Sequence, residues 1–226
     1  MICHHSKCIF VHVPKTGGQS IERAFLEARG LSWEERSVLL LRPNDNLKKG
    51  PPRLAHLTAS KYTELDHVAP KMFREYFKFG FVRNPWKRLI SEYNFRQLGG
   101  SLEFKAWLLN DFPTPGWSDA YRHVMPQSDY LYDSTGRCLV DFIGRFERFE
   151  KDVSMVLDRV GISGIDLRHS NSSRGKIARL ALMAGLQFGN RRRSLRCYYD
   201  DETIKWVAKK YSEDIQRFGY KFNSQK

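Results

Sequence analysis

The 226-residue sequence is short of several features, and each shortage removes a class of protein. It contains no run of eighteen apolar residues, the length a helix needs to cross a bilayer, so no membrane span is expected. The residues ahead of the first apolar run, Met1-Ile2-Cys3-His4-His5-Ser6-Lys7, hold no signal-peptide core, and the expected location is cytoplasmic. The four cysteines, at 3, 8, 138 and 197, form neither a C-x-x-C pair nor a regular framework, which fits a reducing compartment. Cys3-His4-His5-x-x-Cys8 reads as half a zinc site. No second Cys/His cluster follows to complete a tetrahedral shell, so no metal is expected. Acidic residues are scarce as well: 25 against 38 Lys and Arg leave a net charge of +13, which points to an anionic partner such as a nucleotide, a nucleic acid, an acidic glycan or a membrane surface. A basic solvated surface would give the same total, so charge alone names no partner.

What is present begins with Ile9-Phe10-Val11-His12-Val13-Pro14-Lys15-Thr16-Gly17-Gly18-Gln19-Ser20. A β-branched apolar run stops at Pro14 and gives way to a cation, two hydroxyls and a glycine pair. Ile21, Phe25 and Ala28 then share one face of a helix, with Glu22, Arg23, Glu27 and Arg29 elsewhere. Strand, tight loop and helix N-terminus together suit an anion, because amides without intrahelical acceptors and the macrodipole both favour negative charge there. Lys15 adds a full charge, Thr16 and Ser20 can donate, and glycines permit close approach. The lysine precedes the glycines, no Gly-Lys-Ser/Thr closes the loop, and no Walker-B aspartate ends a later strand; Asp141 sits inside its own. A loop for a phosphate or sulfate therefore fits better than one for a magnesium triphosphate.

Further on, Trp33–Leu41 allows a short helix, Arg53–Leu57 reads as a brief strand ending near His56, and Thr58 or Ser60 opens another short helix. Phe77–Val82 is a strong strand, followed by Asn84 as N-cap and Pro85 as first helical residue of a helix reaching Phe95 or Leu98. Ser101 is a candidate cap for the next helix, and 110–128 reads as loop with one helical turn. Leu139–Phe146 is a third strand, and the helix after it is stopped by Gly161. Ile204, Val207, Ala208, Tyr211, Ile215 and Phe218 mark one amphipathic helix closed by Gly219. Strands alternating with helices predict an α/β protein, a mostly parallel sheet covered by helices on both faces, in a single domain over 1–226. Arg174–Arg196 stands apart, with seven basic residues and no acidic one. It is either an anion-binding insertion or a solvated loop.

A second anion site is expected at Phe81-Val82-Arg83-Asn84-Pro85-Trp86-Lys87-Arg88-Leu89-Ile90-Ser91-Glu92-Tyr93. Arg83 ends a strand where ligands of open α/β sheets bind, and Ser91 lies about 10 Å along the following helix. With both loops read, the sequence resembles the sulfotransferases that use 3′-phosphoadenosine-5′-phosphosulfate (PAPS), nearest to the branch containing the heparan 2-O- and chondroitin/dermatan enzymes. Gln127-Ser128-Asp129-Tyr130-Leu131, Asp141-Phe142-Ile143-Gly144-Arg145-Phe146-Glu147, Asn171, Tyr198-Tyr199-Asp200 and Asp214-Ile215-x-x-Phe218-Gly219-Tyr220-x-Phe222 follow the same pattern in order.

The resemblance implies a P-loop, nucleotide-kinase-like three-layer sandwich. It implies that Lys15, Thr16, Gly17, Gly18, Gln19 and Ser20 cradle the 5′-phosphosulfate, with Gln19 replacing a common threonine. Arg83 and Ser91 would hold the 3′-phosphate, and Ser172 or Arg174 could touch it. Sulfuryl transfer to a carbohydrate hydroxyl then requires a cation on the leaving oxygen, for which Lys15 is suited, and a base. His56 is the first candidate, since an imidazole is substantially neutral at pH 7; Glu22 is the second. His12 is expected to point into the sheet, and His123 and His169 do not rank. The rival readings are a phosphoryl-transfer enzyme on the same scaffold, which would need magnesium and ATP, and a basic nucleic-acid-binding domain. The latter lacks a recognisable reading motif.

Overall fold

The computed structural model describes residues 1–96, 98, 103–165 and 194–222. Its centre is a four-stranded sheet in the order β1 (Ile2–Cys3), β2 (Cys8–Val11), β3 (Phe77–Val82) and β4 (Phe142–Arg145). β1 pairs antiparallel with β2, while β2–β3 and β3–β4 are parallel. The antiparallel edge comes from the Cys3–Cys8 stretch, which is a hairpin. Cys3 and Cys8 sit opposite each other, both buried, while His4 bonds Tyr76 Oη at 3.0 Å. The half zinc site is thus a turn whose thiols face inward.

The two faces follow from strand alternation. Cys8 and Phe10 of β2 and Phe79 and Phe81 of β3 pack against α1 (Gly18–Ala28) and α8 (Phe149–Arg159) through Ile21, Phe25, Val153 and Val156. Ile9, Val11 and Val82 face the other way, onto Leu54, Leu57, Tyr62, Leu131 and Phe218. Helices on both faces of a mostly parallel sheet make the expected α/β architecture. Gly80 and Gly144 allow this closeness: a Cβ on Gly80 would stand 2.6 Å from Leu131 Cδ2, and one on Gly144 2.4 Å from Phe81 Cε1.

A third apolar cluster joins α4 (Pro85–Phe95) and α5 (Phe104–Leu109) to the C-terminal helices Asp201–Lys210 and Ser212–Phe218. Short helices α2 (Lys61–Glu64), α3 (Pro70–Glu75), α6 (Asp119–Val124) and α7 (Ser128–Leu131) fill the connections. Among the described residues no helix is long and apolar enough to cross a membrane.

Several boundaries differ from the sequence reading. Leu54–His56 is a 3₁₀ turn, not a strand: His56 N–H donates to Arg53 O at 3.1 Å and Leu57 N–H to Leu54 O at 3.3 Å, local bonds of the 3₁₀ type. β4 starts at Phe142 because the Asp141 carboxylate itself accepts from Lys78 N–H at 2.7 Å, replacing the carbonyl a regular ladder would offer. The C-terminal amphipathic pattern breaks at Tyr211, whose φ of −114° leaves the helical region, and the second piece does end on left-handed Gly219. The Ser101 cap, Asn171, Ser172, Arg174, His169 and residues 174–193 of the basic segment lie outside the described residues.

Candidate active site

The carboxyl ends of β2, β3 and β4 converge, and their loops hold one another. Val13–Gly17 leaves β2 with two left-handed residues, Lys15 at φ 69° and Gly17 at φ 88°. A glycine is required at 17 twice over, since a Cβ there would also lie 2.5 Å from the Phe149 ring. Gly18 has a different reason: a Cβ would fall 2.1 Å from His12 Nε2. The glycine pair thus serves loop closure and packing.

Three consecutive loop carbonyls are each occupied. Thr16 Oγ1 donates to Val13 O at 2.7 Å, Arg88 Nε to Pro14 O at 3.0 Å, and Arg83 Nη1 to Lys15 O at 3.1 Å. Their negative ends are neutralised by these donors, so the charge next to the α1 N-terminus is the positive one of Lys15. The Thr16 hydroxyl has one proton, and Val13 takes it. Gln19 is exposed on the first turn of α1, and Ser91 is half-buried on α4. Neither joins the contacts that tie the loop together, whereas Arg83 does, and its guanidinium also lies 4.3 Å above the Phe146 ring after β4.

Arg83 is aimed by residues the sequence reading quoted only as pattern. Gln127 Oε1 accepts from Arg83 N–H and Gln127 Nε2 donates to Arg83 O, both at 2.8 Å, so one side-chain amide pairs with the backbone in both directions. The buried Asp214 carboxylate holds Gln127 in turn, accepting from its backbone N–H at 2.8 Å and from Ser128 N–H at 2.7 Å.

Lys15 is 3.6 Å from the centre of the Phe95 ring and 4.0 Å from Glu92 Oε2. Burial lowers its pKa from the ordinary 10.5 to about 8; Glu92 opposes this, while Arg83, Arg96 and Arg88 push it further down. A cation crowded by three others is one that a bound anion would relieve.

Beside the loop runs a row of three histidines from three elements. His12, just after β2, bonds Glu22 Oε1 through Nδ1 at 2.6 Å and meets His56 edge-on at 5.1 Å. His56 meets His123 of α6 at 5.0 Å, and His123 Nδ1 lies 2.8 Å from Glu92 Oε2. His12 therefore does not simply enter the sheet core; it stacks on Phe10 and reaches the row. Glu22 is buried on α1 because His12 needs it, while Ala28, placed on the apolar face by periodicity, is exposed.

Burial, followed by the fields of His12, His123, Arg122 and Arg53, holds the His56 pKa well below its usual value, so the ring is neutral at pH 7. Arg122 fixes its backbone by donating to His56 O at 2.6 Å. For Glu92, burial opposes ionisation, but hydrogen bonds and charges from His123 and Arg96 prevail and keep it a carboxylate. Asp119, on the same helix as His123, places Oδ1 3.8 Å from His56 Nδ1.

Sequence reasoning missed Arg88, Glu92, Asp119 and His123. Arg88 and Glu92 carried a signal: three and seven residues after Pro85, they fall among Leu89 and Tyr93 on the buried stripe of α4, where a charged residue needs a reason. Arg88 is almost wholly buried; besides Pro14 O it donates to Met125 O and His123 O at 2.8 and 2.9 Å.

The model of the sulfotransferase family matches residues 1–221, so the chain belongs to that family. It is 23% identical over 201 residues to carbohydrate sulfotransferase 10 of Danio rerio, covering 73% of this chain and 53% of that protein. The Homo sapiens protein of the same name is 26% identical over 121 residues, covering 54% of this chain and 32% of the relative. Carbohydrate sulfotransferase 14 of Danio rerio is 31% identical over 121 residues, covering 39% of this chain and 31% of the relative. The chain thus spans about half the length of one of these carbohydrate sulfotransferases and about a third of the others.

Proposed function

We propose that this chain transfers the sulfuryl group of PAPS to a hydroxyl of a carbohydrate, with PAP as the second product. The observation that carries the reading is the state of Lys15: half-buried, lowered to about 8 and flanked by Arg83, Arg88 and Arg96, it forms with the α1 N-terminus a place where an anion is favoured. When bound, PAPS supplies the sulfuryl group and the phosphate oxygen it departs from. The α1 amides, Lys15 and Ser20 suit the 5′-phosphosulfate, and Arg83 with Ser91 suits the 3′-phosphate. Lys15 places a positive charge where negative charge develops on the leaving oxygen.

His56, neutral and fixed through its backbone by Arg122, is assigned as the base that takes the acceptor proton. Glu22 fits a different task, since its carboxylate is engaged with His12. A glycan acceptor is favoured by the relatives, which are named as carbohydrate sulfotransferases, and by the +13 charge if the glycan is anionic. Calorimetric titration with PAP tests the reading directly: saturable binding competed by PAPS but not by Mg·ATP is expected, and no PAP binding would overturn it. Transfer of label from PAPS across a panel of polysaccharides and simple alcohols then identifies the acceptor.

A further inference from the structure

Three atoms of the histidine row face one another without hydrogen bonds. His56 Nδ1, His123 Nε2 and Asp119 Oδ1 are all buried, and none has a donor or acceptor partner. The two rings belong to side chains more than nine-tenths buried. Asp119 Oδ1 lies 3.8 Å from His56 Nδ1 and 3.7 Å from His123 Nε2, and all three atoms fall within 4.8 Å of one another. These separations are too long for hydrogen bonds. They approach the roughly 3.3 Å between neighbouring ligands of a tetrahedral ion with bonds of about 2.0–2.1 Å.

The opposite ends of two of these groups are already held. His123 Nδ1 is paired with Glu92 Oε2 at 2.8 Å, and Asp119 Oδ2 accepts from Arg96 Nη2 at 3.2 Å. Partners of this kind orient ligating imidazoles and carboxylates around an ion.

We propose that His56, Asp119 and His123 form a binding site for one divalent transition-metal ion of the zinc class, with a fourth position open. Two imidazole nitrogens and one carboxylate oxygen favour Zn²⁺, Co²⁺ or Ni²⁺ over Mg²⁺ or Ca²⁺, which take oxygen sets. One ion would satisfy three buried polar atoms together, an arrangement otherwise unfavourable. Arg53 is the competing cation, with Nε 3.6 Å from Asp119 Oδ1, but its side chain is 60% exposed and free to turn into solvent. The site lies away from the Cys3–Cys8 hairpin, where the sequence suggested half a metal centre. It shares His56 with the base proposed above; a neutral imidazole has one lone pair, so an ion on Nδ1 leaves Nε2 protonated, and the metal-bound and proton-accepting states of His56 are alternatives. The test needs neither donor nor acceptor.

The test uses the full chain, tag-free and stripped with chelator, in a Cys138→Ser/Cys197→Ser and His4→Ala/His5→Ala background that removes exposed thiols and the hairpin histidines. Titration with Co²⁺ should give one equivalent bound with visible absorption of four- or five-coordinate intensity, displaced by Zn²⁺. Asp119→Asn and His123→Gln should each weaken Zn²⁺ binding by at least about tenfold in calorimetry. Circular dichroism checks folding, and Asp119→Asn, nearly isosteric, decides the matter if His123→Gln does not fold. Failure to bind either ion stoichiometrically overturns the site, as does binding that both variants leave unchanged.

Discussion

The Val13–Gly18 loop and the histidine row lie side by side at one edge of the sheet, yet they are built on opposite principles. In the loop the chain meets its own polar demands: three carbonyls in succession have donors, and what remains outward is positive. In the row, His56 Nδ1, His123 Nε2 and Asp119 Oδ1 are left facing one another. The first has its carbonyls tied in place by the chain's own donors, which suits the preorganised anion site proposed above, since such a site contributes most to a transition state. The second keeps uncommitted lone pairs, which is what a proton acceptor or a metal ligand requires.

On the proposed function the difference separates binding from chemistry, and two substitutions can break it. Lys15→Ala should lower the turnover of labelled PAPS by about 10²–10³-fold and weaken PAP binding as well. His56→Ala should lower turnover by about 10²–10⁴-fold while PAP titrates as in the parent. Steady-state rates and calorimetry on the same preparations decide. If His56→Ala loses PAP affinity as Lys15→Ala does, the two regions are one anion site and the assignment of His56 as base fails.

The same contrast explains what could be read beforehand. The loop is contiguous, so β2, Lys15, the glycine pair and the start of α1 were all legible, as were β3 and the Asn84-Pro85 helix entry that aims Arg83. The row is assembled from the end of β2, a 3₁₀ turn and α6, with Glu92 of α4 against His123. His12 and His123 are 111 positions apart in sequence, and no local period connects them. Even residues 53–57, read as a strand ending near His56, form a 3₁₀ turn instead. Gln127 and Asp214 were visible as members of a pattern, but their task of pairing with the Arg83 backbone and holding that pair needed coordinates. Thr16 shows the reverse error: its hydroxyl suited an anion by type, and the fold directs it to Val13.

Arg88 joins the two regions, donating to Pro14 of the loop and to the carbonyls of His123 and Met125. Its removal should therefore damage both together. Each buried carbonyl left without a donor costs about 1–3 kcal/mol, so Arg88→Met should lower unfolding stability in urea by about 3 kcal/mol or more. Arg88→Lys should rescue little, because one ammonium cannot replace a planar fork directed at three acceptors. A variant as stable as the parent would mean that loop and row are held independently.

The smallest effect sharpens the loop side alone. Lys15 is lowered to about 8, chiefly by burial, so in the free enzyme it is charged below that pH and loses its charge above it. The quantity kcat/KM for PAPS, which reports the free enzyme, should be level up to about pH 8 and then fall by about tenfold per unit. Unfolding linked to this residue cannot produce that limb. A lysine whose folded value lies below its unfolded 10.5 is a stability cost that is complete below pH 8 and fades as pH rises from 8 toward 10.5. Stability from Lys15 thus increases over the range in which activity falls. Lys15→Arg, whose guanidinium stays charged throughout, should remove the alkaline limb whatever it does to the plateau rate. A pH profile in Lys15→Arg that still turns down near 8 would assign the limb to another group and leave the loop's cation without a kinetic signature.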